Sequence, residues 1–199
     1  MKKLLNNVLT IAAGGILLHS ISAFSQTEIA STTYQGATYE LWQSPYITWA
    51  QAEANAVGLG GYLAVLTSSA QTTYVYNNLI NNGFFSSSGG WGAEAWLGAT
   101  PAVPDSNGAT TDPNNWAWVN GAPWTAFDAG NFEAGEPNGD YNSALGINLD
   151  GTPQWNDEGN PGLTIGGYIV EVSSVPDGGF TLALLGSAIS GLAFIRRKL

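Results

Sequence analysis

Two tripeptides most constrain what this chain of 199 residues can fold into: Glu136-Pro137-Asn138 and Trp155-Asn156-Asp157. They place two acids and two amides in a stretch that is rich in Gly, Asn and Pro. Carboxylates and amides offer oxygen ligands, and a hard cation such as Ca2+ binds about six to eight oxygens. Together the tripeptides indicate a calcium site, although each acid taken alone is better explained as a solvated loop residue.

The distribution of charge along the chain excludes one class of partner. All five basic residues lie at the two ends, at positions 2, 3 and 196–198, whereas the fifteen acids lie from Glu28 to Asp177. The central body therefore has no cationic side chain with which to neutralise phosphate, and nucleic acid is excluded as a partner. Divalent cations and neutral ligands suit a body with this charge.

The residue types in the body also exclude most catalytic chemistry. The chain has no cysteine, and its one histidine, His19, lies in the N-terminal apolar run. A Ser-His triad, a cysteine nucleophile, a Schiff-base lysine and a usual zinc site are therefore ruled out, and we predict that the protein is not an enzyme. A glycosidase with Glu136 and Asp157 as its acid pair is the alternative, but a bound cation would keep both carboxylates ionised.

Both ends of the chain predict targeting segments. Residues 1–25 combine two lysines with a short apolar run and small residues before Gln26, a pattern typical of a cleaved signal peptide. An anchor that stays uncut is the alternative. Residues 175–199 lead into an apolar run at 180–195 and a basic terminus, which predicts a transmembrane segment with its basic end in the cytoplasm. A buried C-terminal helix is the alternative for this run.

Residues 33–173 between these segments predict one α+β domain. Capping boxes that begin at Thr48 and Ser68 predict two helices, which end near Gly58 and Ile80. Strands are predicted at 34–42, 63–66, 96–99, 116–119, 145–149 and 168–172. Large aromatic side chains dominate burial, so we expect four tryptophans in the core: Trp96, Trp116, Trp118 and Trp155.

The order of these features resembles the C-type lectin-like fold over nearly the whole body. That family has a strand and two helices, then a Trp-Ile-Gly-Leu motif, a strand that ends in an Asn-Gly turn, a Glu-Pro-Asn loop, a Trp-Asn-Asp strand and a closing strand. The matching segments here are 96–99, 116–121, 136–138, 155–157 and 168–171. In place of the disulfides typical of animal members, we expect aromatic packing.

The resemblance implies a calcium ion between the loop and the strand, and a sugar bound to that ion. Its ligands would be Glu136, Asn138, Asn156 and Asp157, which would also hydrogen-bond the sugar, and Pro137 would be cis. A further family glutamate is replaced here by either Asp140 or Asn142.

The function implied by the resemblance is calcium-dependent carbohydrate binding, to a glycan or an exopolysaccharide. The order of acid before amide implies mannose-, glucose- or fucose-type sugars. A protein-interaction module on the same fold, with calcium purely structural, is the alternative. The C-terminus resembles the VPDSG variant of PEP-CTERM sorting signals. It implies export, transient membrane anchoring, cutting by an exosortase between Val175 and Gly179, and a cell-surface or extracellular location.

Overall fold

The computed structural model of the protein describes residues 26–81, 92–160 and 165–173. The predicted signal peptide, the sorting signal and its apolar segment 180–195 lie outside these residues. Within the described ranges, no helix has both the length and the apolar character needed to cross a bilayer.

The described residues form an α+β fold built on a sheet of seven strands. Its strands are β1 (Thr27–Tyr34), β2 (Ala37–Gln43), β3 (Tyr62–Leu63), β4 (Glu94–Trp96), β7 (Ala144–Ile147), β8 (Trp155–Glu158) and β9 (Ile165–Ser173). They follow the spatial order β1-β2-β9-β4-β7-β8, with β3 paired to β9. A separate ribbon pairs β5 (Ala99–Pro101) with β6 (Trp116–Trp118). The strand β8, which carries Asp157, is therefore the outermost strand at one side of the described sheet.

The helices are α1 (Trp49–Gly58), α2 (Ser69–Val75) and α3 (Ala126–Ala129), and a π-helical turn (Tyr76–Ile80) continues α2. The predicted capping box at Thr48 is confirmed, because Gln51 N donates to Thr48 Oγ1 and Thr48 N donates to Gln51 Oε1, both at 3.2 Å. At Ser68 half of the box forms. Gln71 N donates to Ser68 Oγ at 3.3 Å, but Gln71 Oε1 accepts from Thr67 N at 3.0 Å.

Several elements differ from the sequence prediction, and the strand predicted at 63–66 is reduced to the two residues of β3. The strand predicted at 34–42 is the second half of a hairpin, whose first strand begins at Thr27, ahead of the predicted domain start. Gln35 and Gly36, with φ of 49° and 88°, form its two-residue turn. A glutamine with positive φ is uncommon, so this turn has a weak sequence signal. The strand predicted at 96–99 divides into β4 and β5 around Leu97 and Gly98, and the short helix α3 was not predicted.

A cluster of aromatic rings packs under the outer part of the sheet. Trp155 meets Trp118 edge to face at 5.5 Å between ring centroids, and Trp124 lies 5.8 Å from Trp155. The four tryptophans predicted to be core residues are at most 3% exposed, so that prediction is confirmed. Burial of rings of this size is the main apolar contribution that holds β8 in place. The cluster therefore positions the strand that carries the candidate site.

Gly98 lies between β4 and β5, where the backbone passes close to other segments. A Cβ at Gly98 would meet the carbonyl oxygen of Leu63 and would lie 2.9 Å from Val119 Cγ2. We expect Gly98→Ala to lower the free energy of unfolding by about 1–3 kcal/mol, measured by urea denaturation in EDTA. Gly58→Ala is the matched control, because a Cβ there meets nothing within 4 Å and alanine favours the helix. Equal losses of stability in the two variants would contradict this account of Gly98.

Candidate functional site

The candidate site lies on the outer side of β8, where a loop returns along the strand. At Trp155 this side is already occupied: Trp155 N donates to Asn131 O at 2.9 Å, and Glu133 N donates to Trp155 O at 2.8 Å. The chain then passes through a cis peptide bond between Glu136 and Pro137, the isomer that was predicted. The segment 136–140 is thereby brought beside the next residues of β8.

Asp157 ties this segment to the strand. Its side chain is fully buried, and its carboxylate accepts hydrogen bonds from three successive backbone N–H groups. Asn138 N donates to Oδ1 at 2.7 Å, and the amides of Gly139 and Asp140 donate to Oδ2 at 2.9 and 3.1 Å. A carboxylate oxygen has two lone pairs, so Oδ2 is saturated by these bonds whereas Oδ1 keeps one acceptor position.

The carboxylate of Glu136 lies beside that of Asp157. Burial, followed by the contact with Asp157 and its negative charge, raises the pKa of Glu136 to about 7. Glu136 Oε2 accepts from Asn138 N at 3.0 Å, and Oε1 accepts from Asn138 Nδ2 at 3.1 Å. No Lys, Arg or His lies between residues 20 and 195 to compensate the two acids. A cation from solution is the partner that would stabilise both carboxylates in their ionised forms.

The structure places Asp140 and Asn142 differently from each other. Asp140 is joined to the site through its backbone, since its N–H donates to Asp157 Oδ2, and burial followed by the charge of Asp157 raises the pKa of its carboxyl group. Asn142 N donates to Asn107 O at 2.8 Å, and the Asn142 amide oxygen lies against Gly108. The side chain of Asn142 is therefore packed against the neighbouring loop.

Asn156 lies on the other face of β8 from Asp157, because successive side chains of a strand alternate. It is 3% exposed, and its Nδ2 donates to Glu94 Oε1 at 3.1 Å and to Glu158 Oε2 at 3.3 Å. Its Oδ1 is buried and has no hydrogen-bond partner in the described part of the chain. Asn156 thus offers an unpaired oxygen, while its amide nitrogen is occupied.

Glu94 is a residue at this site that the sequence analysis did not identify. It is fully buried on β4 and reaches Asn156 across Gly146 of β7, where an added Cβ would lie 3.4 Å from Glu94 Oε2. The signal for it is present in the sequence, because Glu94 stands two residues before Trp96 and so lies on the same face of a strand as a core residue. An acid at an inward-facing position of this kind requires a polar partner.

The chemistry of the donor set fits calcium. The carboxylates of Glu136 and Asp157 lie beside Asn138, whose side chain also carries an amide oxygen, and the unpaired Oδ1 of Asn156 is a further buried oxygen. In the described ranges, no three or more His, Cys, Asp or Glu side chains form a group that could hold a metal. Amide oxygens and water would therefore complete the ligand shell around the two carboxylates.

A cleft of about 300 Å3 opens beside Asn138 and Gly139, between the segments 103–111 and 136–140. Its other lining residues are Val103, Pro104, Asp105, Ala109, Thr110 and Thr111. A larger cleft, of about 550 Å3, lies next to Asn142 and Trp49. The smaller cleft is lined by Asn138 and Gly139, whose backbone N–H groups donate to Asp157. It lies at the lower end of the size range of small-molecule sites, so it is the candidate ligand space.

Comparisons with known proteins bear on the C-terminus and on the fold. Residues 174–199 match the VPDSG-CTERM motif, which indicates export followed by C-terminal processing. A comparison of the sequence with curated proteins finds no match.

Three solved structures illustrate the structural likeness. Human lithostathine has a TM-score of 0.54 and 16% identity, over 77% of this chain and 94% of that chain. The Ca2+-independent C-type lectin SPL-2 from Saxidomus purpuratus has a TM-score of 0.53 and 17% identity, over 73% and 93%. The cow C-type carbohydrate-recognition domain of CD23, in the presence of GlcNAc2Man3 oligosaccharide, has a TM-score of 0.50 and 18% identity, over 73% and 95%. The described domain has the C-type lectin-like fold, which confirms the predicted fold.

Replacing Asp157 by asparagine tests whether its carboxylate holds the segment 136–140 against β8. An NH2 group then replaces one carboxylate oxygen, so at least one of the three backbone N–H groups loses its acceptor. We expect the amide protons of Asn138, Gly139 and Asp140 to exchange with solvent faster in EDTA, by about 5- to 150-fold for a lost contribution of about 1–3 kcal/mol. Hydrogen exchange read by NMR gives the rates residue by residue. Asp112→Asn is the control, since Asp112 accepts within its own turn, and unchanged rates in Asp157→Asn would contradict the anchoring role.

Proposed function

We propose that the protein is an exported lectin, which binds carbohydrate through a calcium ion held between the segment 136–140 and β8. The observation that carries the proposal is the contact between the carboxylates of Glu136 and Asp157, beside the amide of Asn138, in a body without a cationic side chain. The C-type lectin-like fold and the cleft that opens at Asn138 support it.

The proposed ligands are Glu136, Asn138 and Asp157, with Asp140 at the edge and Asn156 through its oxygen. Asn142, which follows this segment, is a further candidate. A bound calcium ion supplies coordination positions at which sugar hydroxyls replace water. Glu136 keeps one lone pair on each oxygen and accepts from a hydroxyl. Asn138 Nδ2 uses one proton on Glu136, so its second proton is available to donate to a hydroxyl.

This arrangement favours binding over catalysis. A glycosidase needs one carboxyl group to stay protonated as the general acid while the other is ionised. A calcium ion shared by Glu136 and Asp157 keeps both ionised. Solved structures with this fold include proteins named as lectins, such as SPL-2. We therefore propose that the protein is not an enzyme and that it releases its ligand unchanged.

Exchanging the acid and the amide of the loop tests where the sugar sits. In Glu136→Gln/Asn138→Asp the net charge is kept, and the hydrogen bond between the two side chains survives with its donor reversed. Calcium should therefore still bind. Each sugar hydroxyl now meets the wrong partner, so we expect mannose-type ligands to bind about 5- to 150-fold more weakly, and galactose-type ligands to gain. A glycan array probed with calcium and with EDTA measures both preferences.

Asp112→Asn is the matched control for this exchange, because it changes an acid that bonds within its own turn. Its glycan profile should equal that of the unmodified protein. If the double variant also binds the same glycans with unchanged strength, the sugar does not sit on this ion. A protein-interaction module with structural calcium would then be the better account of the fold.

We also propose that residues 180–195 anchor the precursor in the membrane until an exosortase-type enzyme cuts between Val175 and Gly179. Mass spectrometry of the protein released by a host with the sorting machinery should show a C-terminus within this range. A host without that enzyme should keep the chain, complete to Leu199, in its membrane fraction. Recovery of intact Leu199 in the extracellular fraction of the first host would count against the anchoring step.

A further inference from the structure

Among the described residues, the side-chain amide of Asn156 is hydrogen-bonded through its nitrogen only. The two protons of its Nδ2 are directed at two different carboxylates, Glu94 Oε1 at 3.1 Å and Glu158 Oε2 at 3.3 Å. Glu94 is fully buried and comes from β4, two strands away from Asn156 in the sheet. It reaches the amide because the intervening residue of β7 is Gly146, whose missing side chain leaves space over the sheet.

This contact fixes which end of the amide faces the carboxylates. Rotation of the amide by half a turn would bring its oxygen against two acceptors and would replace two charge-assisted hydrogen bonds with repulsion. The two branches of a planar amide diverge, so Oδ1 is directed away from Glu94 and Glu158. Oδ1 is thus left buried without a hydrogen-bond partner in the described ranges.

A buried polar atom without a partner is unfavourable unless something supplies one. β8 is the outermost strand of the described sheet, so an ion beside it can be reached by side chains from both of its faces. The body contains no Lys or Arg that could bond to the oxygen, whereas a hard cation takes amide oxygens as ligands. The unpaired Oδ1 is therefore suited to act as a ligand of a cation.

We infer that Glu94 is a positioning residue for calcium binding, which orients Asn156 so that Oδ1 serves as a ligand. The inference rests on the proposed calcium site and adds to it a residue on the opposite face of the sheet. It also assigns Asn156 a narrower role than Asn138. Because both of its amide protons are occupied by Glu94 and Glu158, Asn156 contributes to the ion and does not donate to the sugar.

A double-mutant cycle in calcium affinity tests whether Glu94 acts through Asn156. The variants are Glu94→Met, Asn156→Ala and the double variant, in the full chain purified in detergent, with calcium binding measured by calorimetry. Methionine has about the length of glutamate and a slightly larger volume, but it lacks the carboxylate acceptor. We expect each single change to weaken calcium binding by about 10- to 100-fold, as loss of an outer-sphere partner does, and the double variant to be no weaker than Asn156→Ala alone.

Two further variants separate positioning from charge and from general loss of stability. Glu94→Gln removes the charge but keeps an acceptor for Nδ2, so it should retain most of the calcium affinity. Glu53→Gln removes the same charge from an acid that accepts from Leu63 N at 2.9 Å, and it should leave calcium binding unchanged. Thermal melting of each variant in EDTA reports stability without the ion.

The outcomes distinguish this inference from the proposed function. If the unmodified chain binds no calcium, both are wrong. Suppose instead that the unmodified chain binds calcium and that Glu136→Gln abolishes this binding. If Asn156→Ala then leaves calcium binding unchanged, or if the effects of Glu94→Met and Asn156→Ala add in the double variant, only the role of Glu94 is wrong. Should Asn156→Ala fail to fold, the side-chain amide signals of Asn156 decide by NMR. Calcium should shift them in the unmodified chain and not in Glu94→Met at the same concentration, and an equal shift in both would overturn the inference.

Discussion

The constraint on which the rest of this structure depends is a body that contains acids but no cationic side chain. Each buried carboxylate must then be compensated by uncharged donors, since an ion pair is not available within the body. Backbone and hydroxyl groups donate to three of the buried acids: Glu171 accepts from Val65 N and Tyr62 Oη, Asp128 from Thr125 N and Oγ1, and Glu133 from Thr152 Oγ1. Burial still raises the pKa of Glu171 and of Glu133, so these donors offset only part of the desolvation.

The candidate site is the place where uncharged donors no longer suffice. Asp157 is compensated by three backbone N–H groups, but Glu136 is then brought against it by the same loop. Two carboxylates in contact need a cation or a shared proton, and the body supplies no cation of its own. The interaction that builds the loop therefore also creates the need for a cation or a shared proton, which links the local fold of the segment 136–140 to its proposed function.

The features that the sequence predicted well are those with a local physical cause. The capping box at Thr48 is formed by residues three apart, and the burial of large tryptophans follows from their apolar area, so both were found. The turn at Gln35 was missed because a glutamine rarely adopts positive φ. The break at Gly98 was missed because it arises from contacts with Leu63 and Val119, which are distant in sequence.

By itself, the sequence determined the fold class, the oxygen-rich character of the candidate site and a body without cysteine, histidine or cationic side chains. These conclusions depend on residue types and on their order along the chain. Only the tertiary structure decided which of the named residues meet. It brought Glu136 against Asp157, turned Asn156 to the other face of β8 and placed Glu94 beside it. The alternation of side chains along a strand and the space over Gly146 act between strands that are separated in sequence, so no local pattern could show them.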